Sequence, residues 1–477
     1  MTGTEKSILA VIMLGTMMSA VDVTIVLLAI PQITAQLHTN LATSIWVIIA
    51  YLLVVAILTT QLGRIGDIFG RGKMFNLGFL VFTIASALCG ASFNIYMLIL
   101  FRIIQGSGGA LMQANSGAII ADTFERHQRG KAFGFTSLGW NIGSMLGIVL
   151  GGILTTFVGW PYIFYINVPI GIAALYFGIK YIKTKERKQG HLDIRGMVTL
   201  SLMLFLITVG AMSIASVGVS VLSVAMIIFG FILLPIFIII QKRVKFPTID
   251  LNIFKNKILF NSIFASFFQS LGYLSIAFII IMYLQGVRGL SPFYAAILIA
   301  PGYVISSLTS PYMGRLSDRA GARIIATIGI SLMIVAVLIY LTITSTTPYY
   351  IIIIGTIVSG LGSSMFYPAN SSAVMANAQS DAYGASSGLL RTMANIGTLG
   401  SFVITITAAS LAVSRNVAFK IFVGTSDLTG NISSEFIKSM HTVFIISALI
   451  LFAAAVLSVS RGKEQRFGAM QSTPAIK

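Results

Sequence analysis

The chain reads as an all-α polytopic membrane protein: two six-helix bundles plus two extra central helices, giving 14 transmembrane helices. Three observations predict this. Hydrophobic residues make up 56% of 477 and charged residues 9%, with a mean hydropathy of +0.94, whereas soluble domains carry about 25% charge. Apolar runs recur at about the 20 residues that a bilayer crossing needs. Basic residues collect in alternate gaps between those runs, which is the signature of fixed topology across a bilayer. The same composition excludes a disordered chain, and one cysteine excludes a disulfide framework or a thiolate metal cluster.

The first apolar run, over 8–37, exceeds the about 7–15 residues of a signal-peptide core and is expected to stay as a helix. Runs over 41–65, 74–93, 97–121, 130–158 and 161–183 complete an N-terminal six-helix bundle, residues 1–183. A basic linker with Lys183, Lys185, Arg187, Lys188 and Arg195 then leads to helices over 196–215 and 217–242, and this central segment is 184–257. Runs over 258–285, 291–316, 323–344, 348–375, 383–413 and 439–460 form the second bundle and a short tail, residues 258–477.

With the N-terminus inside, one set of loops holds Arg64, Arg71, Lys73, Arg126, Arg129, Lys131, Lys242, Arg243, Arg315, Arg319, Arg323 and Arg461. The opposite gaps around His38, Asn94, Gly159, Val217 and Thr346 carry no Lys or Arg. Arg288 and the 414–438 loop are the exceptions. Both termini are therefore expected in the cytoplasm, in a multi-pass protein of the cell membrane. The net charge of +18 is explained by these loops, so no nucleic-acid partner is expected.

The halves repeat. Gly63-Arg64-Ile65-Gly66-Asp67 matches Gly314-Arg315-Leu316-Ser317-Asp318, Ala114-Asn115-Ser116 matches Ala369-Asn370-Ser371, and Asn141-Ile142-Gly143 matches Asn395-Ile396-Gly397. The offset is roughly 250 residues each time, as an internal duplication requires.

The run Gly63 to Lys73, with Gly70 and Arg71, and its weaker copy at Asp318 and Arg319 resemble the signature loop of the major facilitator superfamily. Asp22-Val23-Thr24-Ile25-Val26 with Ala29-Ile30-Pro31 resembles the first-helix motif of its fourteen-helix drug–proton antiporter branch. Arg102 through Ala110 resembles the fourth-helix motif, and Gly159-Trp160 through Gly171 the start of the sixth helix. The chain departs at Leu27, where asparagine is common, at Ile148, where proline precedes the Gly151-Gly152 pair, and at Arg391, where the arginine usually lies near Ala394. The resemblance implies the major facilitator fold and multidrug efflux by proton antiport and alternating access.

Asp22 is the acid deep in an apolar span, and an intramembrane carboxylate is a functional candidate. At about 1.5 Å per residue it lies roughly 21 Å from the inner end of its helix, and Arg102 at roughly the same depth. The pair is expected to couple transport to the proton, with Asp22 either alternating between proton and cationic substrate or coupling a proton to gating; the rival reading is a structural ion pair. Polar residues inside spans, Gln105, Gln113, Asn115, Trp140, Asn141, Gln269, Tyr273, Tyr367 and Asn370, are the candidate substrate cavity. Gly63, Arg64, Asp67, Gly70, Arg71, Asp318 and Arg319 are candidate gating residues. Gly143, Gly147, Gly151 and Gly152 are expected to let helices approach closely. Arg391 is read as snorkelling to the membrane surface, with a contact to substrate as the alternative.

The expected partners are a small-molecule substrate and the lipid bilayer, in a monomer with no metal and no cofactor other than the coupling proton. A metabolite or organic ion on the same scaffold is the second transport reading. A transport-inactive sensor is the rival class. No cluster of His, Asp, Glu and Ser suggests an enzyme.

Overall fold

Hydrocarbon offers a backbone amide no partner, so a crossing must satisfy its own hydrogen bonds as a helix. The computed structural model describes residues 2–183, 193–244, 247, 249–378, 383–411 and 431–462. Among them are 14 helices long and apolar enough to cross a membrane. In chain order they are α1 (Gly3–Gln36), α2 (Ala42–Phe69), α3 (Arg71–Gly90), α4 (Ile95–Thr123), α5 (Arg126–Phe157), α6 (Tyr162–Tyr181) and α7 (Ile194–Val217). There follow α8 (Val221–Arg243), α9 (Lys257–Val287), α10 (Pro292–Ala320), α11 (Ala322–Tyr340), α12 (Tyr349–Asn377), α13 (Tyr383–Leu411) and α14 (Asn431–Val459).

Local chemistry explains several ends. Thr2 and Glu5 form a reciprocal capping box on α1, Asn94 caps α4 through the Met97 amide, and Ser220 caps α8. Gly70 ends α2 and starts α3 with φ 103°; Gly321 ends α10 and starts α11 with φ 98°. That backbone region favours glycine, so the repeat seen in the sequence extends to an identical tight corner in each half.

Two differences from the sequence reading matter. α14 begins at Asn431 rather than near 439, and much of the anticipated 414–438 loop, 414–430, lies outside the described residues. The span expected as one helix over 258–285 is broken at Leu274–Ser275 and ends in a π turn, Tyr283–Val287. α13 supports the break: the Ser275 amide donates to Ser401 Oγ at 3.1 Å, and its hydroxyl bonds Ser401 at 2.8 Å and Thr405 at 2.5 Å. Hydrophobicity sees only an apolar run there; the interruption depends on hydroxyls more than a hundred residues away.

The packing is twofold. α1 lies on α5 as α9 lies on α13; α4 contacts α2 and α3 as α12 contacts α10 and α11. The bundles meet through α5 on α10 and α2 on α13. α7 and α8 pair with each other, and α7 rests on α13 and α2. The beginnings of α9 and α11 and the end of α14 share one face, tied by Asn261 to Ser460 and Thr327 to Ser458. The basic loops lie on that face.

The glycines of α5 set the spacing. Positions for a Cβ on Gly143, Gly147 and Gly151 fall against the backbone carbonyls of Met17, Val21 and Ile25 of α1. Thr24 adds a hydroxyl bond to the Ser144 carbonyl at 3.3 Å. Ile148 is fully buried in this uninterrupted helix, where the resembled family has proline. Gly152 faces the other way, onto Pro292 and Ala296 of α10 in the second bundle. It therefore belongs to the contact between bundles rather than to packing within one.

A side chain at 147 would meet the Val21 carbonyl at 2.8 Å, whereas nothing lies within 4 Å of a Cβ at Gly134 on the same helix. Gly147→Leu is expected to cost about 1–3 kcal/mol by overpacking, read as earlier thermal unfolding in detergent, with Gly134→Leu unchanged. Equal behaviour of the two variants would refute the close approach.

Candidate functional site

A carboxylate and a guanidinium buried in hydrocarbon must satisfy one another and their remaining hydrogen-bonding capacity. α1 places Asp22 and α4 places Arg102 side by side, 0% and 1% exposed, with Nη1 to Oδ2 at 2.6 Å. Gln105, one turn along α4, accepts from Arg102 Nη1 at 2.6 Å and donates to Asp22 Oδ1 at 2.8 Å. Its Nε2 also donates to Ser86 of α3 at 2.8 Å. Arg102 Nε donates to the Val47 carbonyl of α2 at 2.8 Å, and the guanidinium lies 4.3 Å from the centroid of the Tyr51 ring. The network thus ties four helices of the N-terminal bundle. The depth estimate brought Asp22 and Arg102 to one level; the structure adds the azimuth.

A separate cavity of about 290 Å³ lies between the two bundles. Its wall runs from Leu27 and Ile280 to Ile120, Phe133, Met375 and Gly388, residues near the ends of α4, α5, α12 and α13 on the basic face. On the opposite face the bundles touch: Gly152 meets Ala296, the Phe293 amide donates to Thr156 Oγ1 at 3.0 Å, and Phe157 and Phe293 stack edge-on at 5.5 Å. Gln285 of α9 also donates to the Leu28 carbonyl of α1 at 3.3 Å. The cavity is therefore closed away from the basic loops and deep toward them.

Of the anticipated cavity residues, Gln113, Trp140, Asn141, Tyr273, Tyr367 and Asn370 line it. Asn141 donates to Ser310 Oγ at 3.0 Å and Asn395 to Gln113 at 3.2 Å, both across the bundles. Three expected residues do not line it. Gln105 is consumed by the Asp22 network. Asn115 packs against Gly66, bonding the Leu111 carbonyl at 2.8 Å. Gln269 is fully buried against the Met333 sulfur, 3.5 Å away. Each is polar on a bundle helix, but its azimuth points into that bundle, which a sequence of mostly apolar neighbours does not reveal.

Arg391 is the converse correction. It does not snorkel to the surface: it lines the cavity, its guanidinium carbon 5.6 Å from the Trp140 ring centroid. Among the described residues it makes no ion pair or hydrogen bond. Asp22 and Arg102 are absent from the cavity wall. Tyr51 stands between, one face on Arg102 and the ring lining the cavity.

The signature loop is a brace inside the first bundle. Arg71 Nη2 and Nε reach Asp67 Oδ1 at 2.7 and 2.8 Å, and Nη1 reaches Asp122 Oδ2 at 2.7 Å. Asp122, at the end of α4, went unremarked in the sequence because its partner lies in another loop. Arg64 reaches the Pro247 carbonyl at 2.8 Å, fastening α2 to the segment before α9. Gly63 lies beside Ala114 of α4. In the second copy Arg319 is exposed, and the Asp318 side chain lies outside the described residues.

The Major Facilitator Superfamily model matches residues 12–401. The riboflavin transporter RibZ of Clostridioides difficile is 31% identical over 95% of this chain and 96% of its own length. Multidrug resistance protein 3 of Bacillus subtilis is 29% identical over 75% and 70%. The tetracenomycin C resistance and export protein of Streptomyces glaucescens is 28% identical over 84% and 76%. A bacterial homolog of the human lysosomal transporter Spinster, solved facing inward, superposes with a TM-score of 0.64 at 15% identity, covering 97% of both chains, a likeness of fold.

Removing one partner of a buried ion pair typically costs about 3–5 kcal/mol because the other charge is stranded. Asp22→Ala and Arg102→Met are each expected to destabilise the protein strongly, and the double variant by at least about 1 kcal/mol less than their sum. Unfolding of the four proteins in detergent measures this; additive losses would show that the two side chains do not act as a pair.

Proposed function

As the chain belongs to the Major Facilitator Superfamily and is a membrane transporter, we propose that it exports amphipathic, drug-like compounds by alternating access, coupled to proton entry. The observation that carries this reading is the cavity between the bundles, deep toward the basic face and shut on the other. The positive-inside rule puts the basic face in the cytoplasm, so substrate enters from within the cell. Rocking of one bundle on the other opens the far side. The efflux relatives support export. The riboflavin transporter supports the second reading, a metabolite on the same scaffold.

Asp22 is the proton carrier in this reading. Protonation removes the charge that holds Arg102 Nη1 at 2.6 Å. Arg102 must then shift its weight onto Gln105, the Val47 carbonyl and Tyr51. Tyr51 transmits that shift, since the same ring lines the cavity. Asp22 also sits directly before Val23 and Thr24, which line the cavity from α1, so a small turn of α1 moves both sites. A proton falling through 100 mV supplies about 2.3 kcal/mol for uphill export.

Two experiments test separate parts. In reconstituted vesicles Asp22→Asn, which keeps the shape of the side chain, is expected to lose pH-driven accumulation while retaining substrate exchange at equal pH. Retained uphill transport would remove Asp22 from the coupling. Gly152→Ile puts atoms where the α10 backbone and Ala296 already lie. It is expected to favour the state open on the face away from the basic loops, detected as raised labelling of a cysteine at Leu27. Unchanged labelling would show that this contact is no gate.

A further inference from the structure

The cavity has a charge of one sign. Among the described residues no Asp or Glu lines it, and Arg391 is its cation. Asp22, the acid nearest in sequence to the wall residues of α1, is turned away and held by Arg102 and Gln105. A guanidinium in a wall without an acid draws an anion as its counter-charge. Aromatic and hydroxylated residues share the wall with aliphatic ones such as Leu52, Val55 and Ile280: Trp140 lies against the Arg391 guanidinium, and Tyr51, Tyr273, Tyr303, Tyr340 and Tyr367 also line the cavity. Flat rings stack with such side chains in offset or edge-on geometry, and the phenols satisfy ring carbonyls and nitrogens. At about 290 Å³ the hollow is at the small end of drug-sized sites, enough for a few fused rings.

We infer that this cavity selects planar aromatic anions, the negative group seated on Arg391 and the rings stacked between Trp140 and the tyrosine wall. The inference rests on the transport reading above and sharpens it: a cation, one of the substrates that Asp22 allowed from sequence, finds no acid in the described wall. Arg391 is planar and forked, suited to two-point contact with a carboxylate, phosphate or enolate.

The test uses the full chain in detergent and two fluorescent probes on one tricyclic frame: resorufin, an anion at weakly alkaline pH, and the diaminophenoxazinium cation. Binding is read by dye polarisation and by quenching of tryptophan emission. Resorufin is expected to bind at least about tenfold more tightly, Arg391→Gln to erase that preference, and Arg391→Lys to keep most of it. The wild-type ratio needs no variant to fold: equal or tighter binding of the cation overturns the inference, as does a preference unchanged in Arg391→Gln. Lysophosphatidylglycerol, an anion without rings, is expected to compete at least about tenfold less well than resorufin; equal competition would overturn the aromatic part. These outcomes are separable from the transport reading, which fails only if the reconstituted protein moves neither probe nor any other compound. Transport that prefers the cation defeats this inference alone.

Discussion

The absence of hydrogen-bonding solvent in the bilayer is the constraint on which this structure turns, and the contact between Asp22 and Arg102 is where it is met most strictly. Neither charge has water to fall back on. The protein answers with a second acceptor in Gln105, a backbone carbonyl from Val47, a hydroxyl from Ser86 and an aromatic face from Tyr51. Those partners come from four helices, so the pair also fixes how α1, α2, α3 and α4 sit together. A buried ion pair is weak grounds for net stability, because desolvation offsets the attraction.

At the break in α9 the second bundle meets the same constraint with hydroxyls rather than an ion pair. α9 breaks at Leu274–Ser275, and hydroxyls of Ser401 and Thr405 receive what the break exposes. Leu274, Ile276 and Ala277 border the cavity there, so a discontinuous helix flanks the binding region on one side while an ion pair stands behind a tyrosine on the other. The two halves share a fold and the Gly70–Gly321 corners, yet have divided the work: the first keeps a titratable pair out of the cavity, the second contributes Arg391 and most of the tyrosines.

How much of this was legible in the sequence follows from which patterns are local. Span length and loop charge are local, and they gave the fourteen crossings and the layout of helices. The Gly143, Gly147, Gly151 series was legible because helix spacing alone puts those residues on one face. What the sequence withheld is azimuth against a distant partner. Gln105 and Gln113 are two turns apart on α4, and one binds Asp22 while the other lines the cavity. Arg391 lies near enough to a helix end for a long side chain to escape, and only the position of Trp140 on another helix shows that it does not. Gly152 sits beside Gly151 and faces the other bundle. A one-residue step turns a helix by about 100°, which no composition measure registers.

Under the proposed coupling, keeping Asp22 out of the cavity alters the energetics of transport. If substrate and proton shared one carboxylate, binding of each would exclude the other directly, and the substrate would have to be a cation. With Asp22 behind Tyr51 and Arg391 in the wall, the exchange proposed above would act through movement of the wall, and no rule of charge would tie the substrate to the acid. An anion leaving a cell that is negative inside gains about 2.3 kcal/mol per charge for each 100 mV, the same sign of work as a proton entering. Both movements then draw on one potential and add. A cation exported against that field would spend on its own exit what the proton brings in, so under the proposed coupling an anion-selective cavity would let the same proton do more chemical work.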